Sequence, residues 1–392
     1  MAQHAYDDLD LTELRQRHSA KWRVYPADVL PCWVAEMDFP LAEPITDVLT
    51  DMVRRGDTGY ASFDGLAEAF ADFSNRRYGV AVDPSLCYPL QDIMRGVLLA
   101  VQALTSPGDG VVIAPPVYPP FFSTIRYAGR QVVETPLAVD ETGRYTLDLD
   151  GLEAAFAAGA RAFLLCNPHN PVGRAWSGEE LLEVARLAER YDATVLSDEV
   201  HGPLTYGEVP HTPFGSLSTR AAERCVTFVS ASKAFNIPGL KCALMISGSG
   251  DMLDRFADVP EEVPFGASIF GVAANLAAFR DGDAWLDDTL GYLARNRAAL
   301  VSLLAERVPG VRWSPPEATY LGWLDCRALG LGDDPADALL DRGGVAVYPG
   351  QAFGQPGRGF VRLNYATSTA LLTEAVERMA AVVAAEPMPA HR

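Results

Sequence analysis

The chain has 392 residues, 49% hydrophobic and 21% charged, with a formal net charge of -19, enough apolar material for two interlocked domains with a large core. The acidic balance repels phosphate backbones and anionic lipid heads, so no nucleic acid and no membrane surface is expected as a partner, although a local cationic pocket for a small anion stays open. The N-terminal MAQHAYDDLD lacks the basic and apolar regions of a leader, no long stretch is continuously apolar, and the six cysteines (Cys32, Cys87, Cys166, Cys225, Cys242, Cys326) form no CxxC pair, which points to a cytoplasmic protein without a zinc or disulfide scaffold.

In chain order, residues 1–45 do not read as a domain and are expected to pack as an N-terminal arm on the smaller domain. The stretch LQDIMRGVLLAVQAL (90–104) is a helix candidate with Asp92 and Ile93 at its entrance. Apolar runs then predict strands at GVVIAP (110–115), RQVVETP (130–136), RAFLLCN (161–167), ATVLSD (193–198), CVTFVS (225–230) and KCALMIS (241–247). Helix-like stretches such as GEELLEVARLAERY (178–191) separate them. Short, doubly apolar strands alternating with helices predict an α/β large domain, 46–283, with a mostly parallel sheet flanked by helices. A helical run (about 283–307), then VRWSPP, TYLGWLDC, GVAVYPG and FVRLNYA, and a closing helix in LLTEAVERMAAVVAAE predict a smaller α+β domain, 284–392.

The chemistry-bearing residues fall at strand ends. CNPHNPVG (166–173) carries Asn170, SDEVH (197–201) carries Asp198 and His201, and SASKAFNIPGLKCAL (230–244) carries Ser230, Ser232, Lys233 and Lys241. Loops at the carboxyl ends of parallel strands converge on one crevice, so Asn170, Asp198, His201 and Lys233 are expected to face a common pocket. Each has a plainer reading when taken singly: a solvated lysine, an aspartate capping a helix, an Asn-Pro turn. No HExxH or clustered His/Cys pattern suggests a metal, GSGDML lacks the third glycine of a dinucleotide loop, and no GxxxxGK[ST] is present.

Taken together with PCWVAEMDFP (31–40), TGY (58–60) and PPVYPPF (115–121), these motifs resemble fold-type I pyridoxal-phosphate (PLP) enzymes of the aspartate aminotransferase superfamily. Within it they look like the cystathionine β-lyase branch of MalY/PatB type, over nearly the whole chain. The resemblance implies that Lys233 carries the cofactor as a Schiff base and moves the Cα proton. It further implies that Asp198 pairs with the pyridine nitrogen, that Asn170 and His201 address the phenolic oxygen, and that Tyr118 stacks on the ring. The helix start at Asp92 and Ile93, with Ser230, Ser232 and Lys241, would receive the phosphate. Tyr60 would reach the phosphate of a neighbouring subunit, making the active unit a homodimer with interface active sites. Arg362 would hold the substrate carboxylate by a bidentate fork, with Trp33, Ala35 and Glu36 lining the substrate side; an isolated arginine would more often be a surface ion-pair partner.

Two departures from the branch stand out: Gln91-Asp92 replaces smaller or apolar residues beside the phosphate, where an acid is tolerable only as a helix cap turned away, and NYATS follows Arg362 in place of a cysteine-proline run. The implied reaction is carbon-sulfur β-elimination from cystathionine or another S-substituted L-cysteine, giving a thiol, pyruvate and ammonia. The alternatives are an aminotransferase, a specialised enzyme that eliminates or oxidatively decarboxylates a bulky cysteine conjugate, and a non-catalytic regulatory binding protein; the last would be expected to have lost the lysine or the aspartate, and both remain.

Overall fold

The computed structural model describes residues 6–260, 263 and 266–385. Its strands, in chain order, are β1 (Leu30–Pro31), β2 (Cys87–Leu90), β3 (Gly110–Ile113), β4 (Gln131–Glu134), β5 (Ala138–Val139), β6 (Tyr145–Thr146), β7 (Ala162–Cys166), β8 (Thr194–Asp198), β9 (Cys225–Val229), β10 (Ala243–Ser247), β11 (Leu321–Asp325), β12 (Val345–Ala346), β13 (Tyr348–Pro349) and β14 (Phe360–Asn364). Seven of them form the central sheet in the order β2-β10-β9-β8-β7-β3-β4. Only β10 runs against its neighbours; the remaining pairings are parallel.

Every residue of β7, β8 and β9 is buried, because helices cover both faces. Alternation along β7 assigns Leu164 and Cys166 to one apolar layer with Val97 and Val101, and Phe163 and Leu165 to the other with Trp176, Leu181 and Val184. The Gly178–Arg190 helix starts at a reciprocal capping box between Ser177 and Glu180 and buries Leu181, Val184, Leu187 and Ala188.

All six strands expected in the large domain form where the apolar runs lie. Edge strand β2 was not anticipated: it is four residues long, contains Pro89 and buries only Leu90, so it has neither the length nor the apolar run that marks an inner strand. The reversed direction of β10 was likewise not foreseen, since its composition matches that of its parallel neighbours.

The C-terminal part holds a three-stranded antiparallel sheet, β11-β14-β13, with the Asp283–Arg307, Pro335–Gly343 and Thr369–Ala384 helices. The beginning of the chain is fastened to it. β1 pairs with β12, Leu30 opposite Val345, and a buried ion pair ties Lys21 Nζ to Asp38 Oδ2 at 2.8 Å. Trp22 Nε1 donates to the same carboxylate at 2.9 Å, and Lys21 Nζ donates to the Glu36 carbonyl at 3.1 Å. These bonds hold the Trp33–Asp38 segment against the crevice described next. Among the described residues no helix is long and apolar enough to cross a membrane.

Candidate active site

A cavity of about 460 Å³ opens at the carboxyl ends of β7, β8 and β9, where parallel strands place ligand crevices. Trp33, Ala35, Asp92, Ile93, Tyr118, Asn170, Asp198, His201, Ser230, Ser232, Lys233, Lys241 and Arg362 line it. Of the residues singled out in the sequence, Tyr60 and Glu36 are not on its wall. Tyr60 is 91% exposed, and Glu36 acts on Lys233 only through its charge.

Lys233 follows β9 in a small-residue turn. Ser230 Oγ ties that turn together, donating to the Cys242 carbonyl at 2.7 Å and accepting from the Ser232 N–H at 3.0 Å. The Ser230 proton is therefore engaged within the protein, not turned toward an anion. Lys233 Nζ donates to the Ala35 carbonyl at 3.1 Å. Desolvation, helped by the Arg362 charge, pushes its pKa from 10.5 down to about 8, against the pull of Asp198 and Glu36. A neutral, nucleophilic amine is thus within reach near neutral pH.

Asp198 ends β8 and is buried. Burial lifts its carboxyl to about 7, outweighing the Val200 N–H and the Lys233 charge; the Val200 N–H reaches Oδ1 at 3.2 Å. A buried carboxyl lifted this far suits a cationic N–H donor brought by a ligand. Next to it, Glu199 accepts from Ser197 Oγ at 2.8 Å and from the Phe214 N–H at 2.9 Å, and pairs with His211 Nε2 at 3.0 Å. That arrangement anchors the loop behind Asp198.

His201 is buried, with its pKa lowered to about 3 by desolvation and the nearby cations. Its neutral ring leaves Nδ1 without a partner among the described residues. Tyr118 keeps its phenol protonated, since burial raises it to about 12. The loops of Tyr118 and Asn170 are joined by His169, whose Nε2 bonds the Pro116 carbonyl at 2.9 Å.

Arg362, from the middle of β14, is buried. Nη1 donates to Asn170 Oδ1 at 3.0 Å and Nη2 to the Trp33 carbonyl at 2.9 Å, while Nε has no partner among the described residues. Burial lowers its pKa to about 10, so it stays cationic at neutral pH. Because Arg362 occupies the amide oxygen of Asn170, what Asn170 can offer a ligand oxygen is its Nδ2 donor.

Asp92 caps the Ile93–Leu104 helix, Oδ1 accepting from the Arg95 N–H at 2.9 Å. Its other oxygen pairs with Lys241 Nζ at 2.9 Å. Sequence reasoning allowed for the cap but not for the ion pair, which joins residues far apart in the chain.

Tyr348 was missed altogether. It lines the cavity, stacks on Trp33 with ring centroids 6.4 Å apart, and lies 4.9 Å beneath the Arg362 guanidinium. The signal was an aromatic beside a proline at a strand end in GVAVYPG, the pattern already noted in PPVYPP.

These side chains suit pyridoxal phosphate: an amine of depressed pKa, a buried carboxyl lacking a cationic N–H donor, an orphaned buried imidazole nitrogen and a guanidinium with an unpaired N–H. Lys233, Asp198, Asn170, His201 and Tyr118 would hold the ring, and the Asp92–Ile93 helix start with Ser232 and Lys241 would face the phosphate. Among the described residues, no group of three or more His, Cys, Asp or Glu is placed to hold a metal ion.

Residues 28–379 match the family model for aminotransferase class I and II. The chain is 37% identical over 360 residues to cystathionine beta-lyase PatB of Bacillus subtilis, covering 91% of this chain and 93% of that protein. It is 35% identical over 378 residues to cystathionine beta-lyase of Corynebacterium glutamicum, covering 95% and 99%. Among solved structures it resembles the PLP-bound C-S lyase from Staphylococcus hominis, with a TM-score of 0.89 and 26% identity over 97% of this chain and 99% of the other.

Proposed function

The chain belongs to the aminotransferase class I and II family, and from that premise we propose that it is a PLP-dependent carbon-sulfur β-lyase acting on L-cystathionine or another S-substituted L-cysteine. The observation that carries the reading is the convergence of Lys233, Asp198, Asn170 and Arg362 on one cavity, in a chain whose near-full-length relatives are named cystathionine beta-lyases.

Bound pyridoxal phosphate supplies the electron sink that makes a Cα proton removable. Lys233 Nζ would hold the cofactor, and the same amine would take the Cα proton of the bound substrate. Its pKa of about 8 leaves a usable neutral fraction for the first role and an ammonium able to return a proton in the second. Asp198, which accepts the Val200 N–H and has no cation in hydrogen-bonding contact among the described residues, would keep the ring nitrogen protonated. Asn170 Nδ2 would stabilise negative charge at the phenolic oxygen. The Arg362 guanidinium binds the α-carboxylate, and its position against Trp33 and Tyr348 orients Cα toward Lys233. As the Cβ–S bond breaks, its electron pair leaves with sulfur, which becomes the thiol on protonation, and water converts the remaining three-carbon fragment to pyruvate and ammonia.

Arg362→Lys is expected to lower kcat/KM about a hundredfold, mainly through KM, because a point charge cannot reproduce the planar fork held by Asn170 and Trp33. Steady-state kinetics check this; an unchanged KM would remove Arg362 from carboxylate binding.

We take the active unit to be a cytoplasmic homodimer. The support is Tyr60, which is 91% exposed and stands off its own cavity, as a residue serving a neighbour's phosphate must. We propose that the chain divides into an N-terminal arm, a large domain and a small domain at 1–45, 46–283 and 284–392.

Incubation with L-cystathionine, with and without a 2-oxo acid, tests the reaction. Pyruvate and free thiol in equal amounts without an acceptor are expected. Turnover only with the acceptor would make it an aminotransferase, and turnover only with a bulkier conjugate would restrict the substrate class.

A further inference from the structure

We propose that Asp92 competes with the cofactor's phosphate for Lys241 and for the helix start, so that this chain binds its cofactor in a readily exchangeable way. The inference rests on the cofactor reading above and concerns how tightly that site holds its ligand.

Two features at this end of the cavity favour an anion: the N-terminus of the twelve-residue Ile93–Leu104 helix and the ammonium of Lys241. A single carboxylate engages both. Asp92 Oδ1 takes the Arg95 N–H at 2.9 Å, one of the few backbone donors a helix start can offer. Asp92 Oδ2 takes Lys241 Nζ at 2.9 Å. Ser230, which could have added a hydroxyl, directs its proton to the Cys242 carbonyl. The phosphate end is therefore close to charge-balanced without an external anion.

The pair is not locked, since the Asp92 and Lys241 side chains remain 34% and 49% exposed. A solvated pair of this kind is weak, and a phosphate bearing nearly two charges can displace it. Displacement does not remove Asp92, whose capping oxygen keeps it at the helix start as a like charge beside the phosphate. Cofactor binding thus has to overcome both the loss of the Lys241 pair and the remaining repulsion. Asp92 touches no reacting atom; it is a positioning residue that sets cofactor affinity through Lys241 and the helix start.

Asparagine caps a helix as well as aspartate does but carries no charge. Asp92→Asn is expected to lower the dissociation constant for pyridoxal phosphate about tenfold, because one repulsive charge goes and Lys241 is released. Lys241→Gln is expected to raise it about tenfold. The test is equilibrium dialysis of cofactor-free protein against pyridoxal phosphate, with bound cofactor read by absorbance, repeated with inorganic phosphate as competitor. Inorganic phosphate should compete more effectively in Asp92→Asn than in the wild type, a change that loss of a cap alone would not produce. Asp92→Ser, a second uncharged cap, should behave as Asp92→Asn does. If the wild type takes up cofactor and both neutral variants bind it no tighter, Asp92 is a helix cap only and the inference is overturned. If the wild type takes up none, the cofactor reading falls and the inference with it.

Discussion

Lys233→Ala is expected to lower kcat for β-elimination about 10⁵-fold, since the same Nζ carries the cofactor and moves the Cα proton. The chain has three lysines, Lys21, Lys233 and Lys241, and no other can take over. Lys21 is buried in an ion pair with Asp38 and is not among the residues that line the cavity. Lys241 is paired with Asp92 at the phosphate end. Lys233 lines the cavity, which draws its pKa down to about 8. The variant should still take up cofactor, through Asp198 and the phosphate contacts, but without the absorption band of lysine-linked PLP. Activity within tenfold of wild type would overturn the assignment.

Asp198→Asn is expected to lower kcat about 10³-fold, because a neutral amide cannot hold the ring nitrogen protonated. The same substitution should have the opposite effect on the cofactor-free protein. Burial raises the Asp198 pKa in the folded state to about 7 from 3.8, so folding favours the protonated carboxyl. Its contribution to stability is complete below about pH 4 and is lost as pH rises through about 7. At pH 8 the cofactor-free asparagine variant should therefore be more stable than the wild type by a few kcal/mol, an order-of-magnitude figure from the size of the shift. Cofactor should then stabilise the wild type more than the variant, because it brings the carboxylate a cationic partner. Urea denaturation at pH 5 and pH 8, with and without pyridoxal phosphate, reads all of these differences. A variant that gains as much stability from cofactor as the wild type would remove Asp198 from the ring nitrogen.

Much of this site was legible because inner parallel strands are locally encoded. The apolar runs that became β7, β8 and β9 are short and bounded, and once they were placed, the positions of Asn170, Asp198 and Lys233 at their carboxyl ends followed. Family resemblance, not spacing, pointed to Arg362, whose bond to Asn170 joins residues 192 positions apart. What stayed hidden depends on contacts between distant segments. Asp92 and Lys241 are separated by 149 residues, and nothing local to either predicts that one carboxylate would serve as both cap and counter-ion. Tyr348 carried a local sign, an aromatic beside a proline at a strand end, but its partners Trp33 and Arg362 are brought to it only by the fold. Even the edge strand β2 is defined less by its own residues than by the reversed β10 it pairs with.

Borohydride reduction of the PLP-loaded protein, followed by peptide mass spectrometry, decides whether Lys233 is the residue that carries the cofactor. With only three lysines to distinguish, a phosphopyridoxyl group is expected on the peptide containing Lys233 and on neither of the others. Label on Lys21 or Lys241, or a protein that turns over substrate yet traps no cofactor on any lysine, would contradict that assignment.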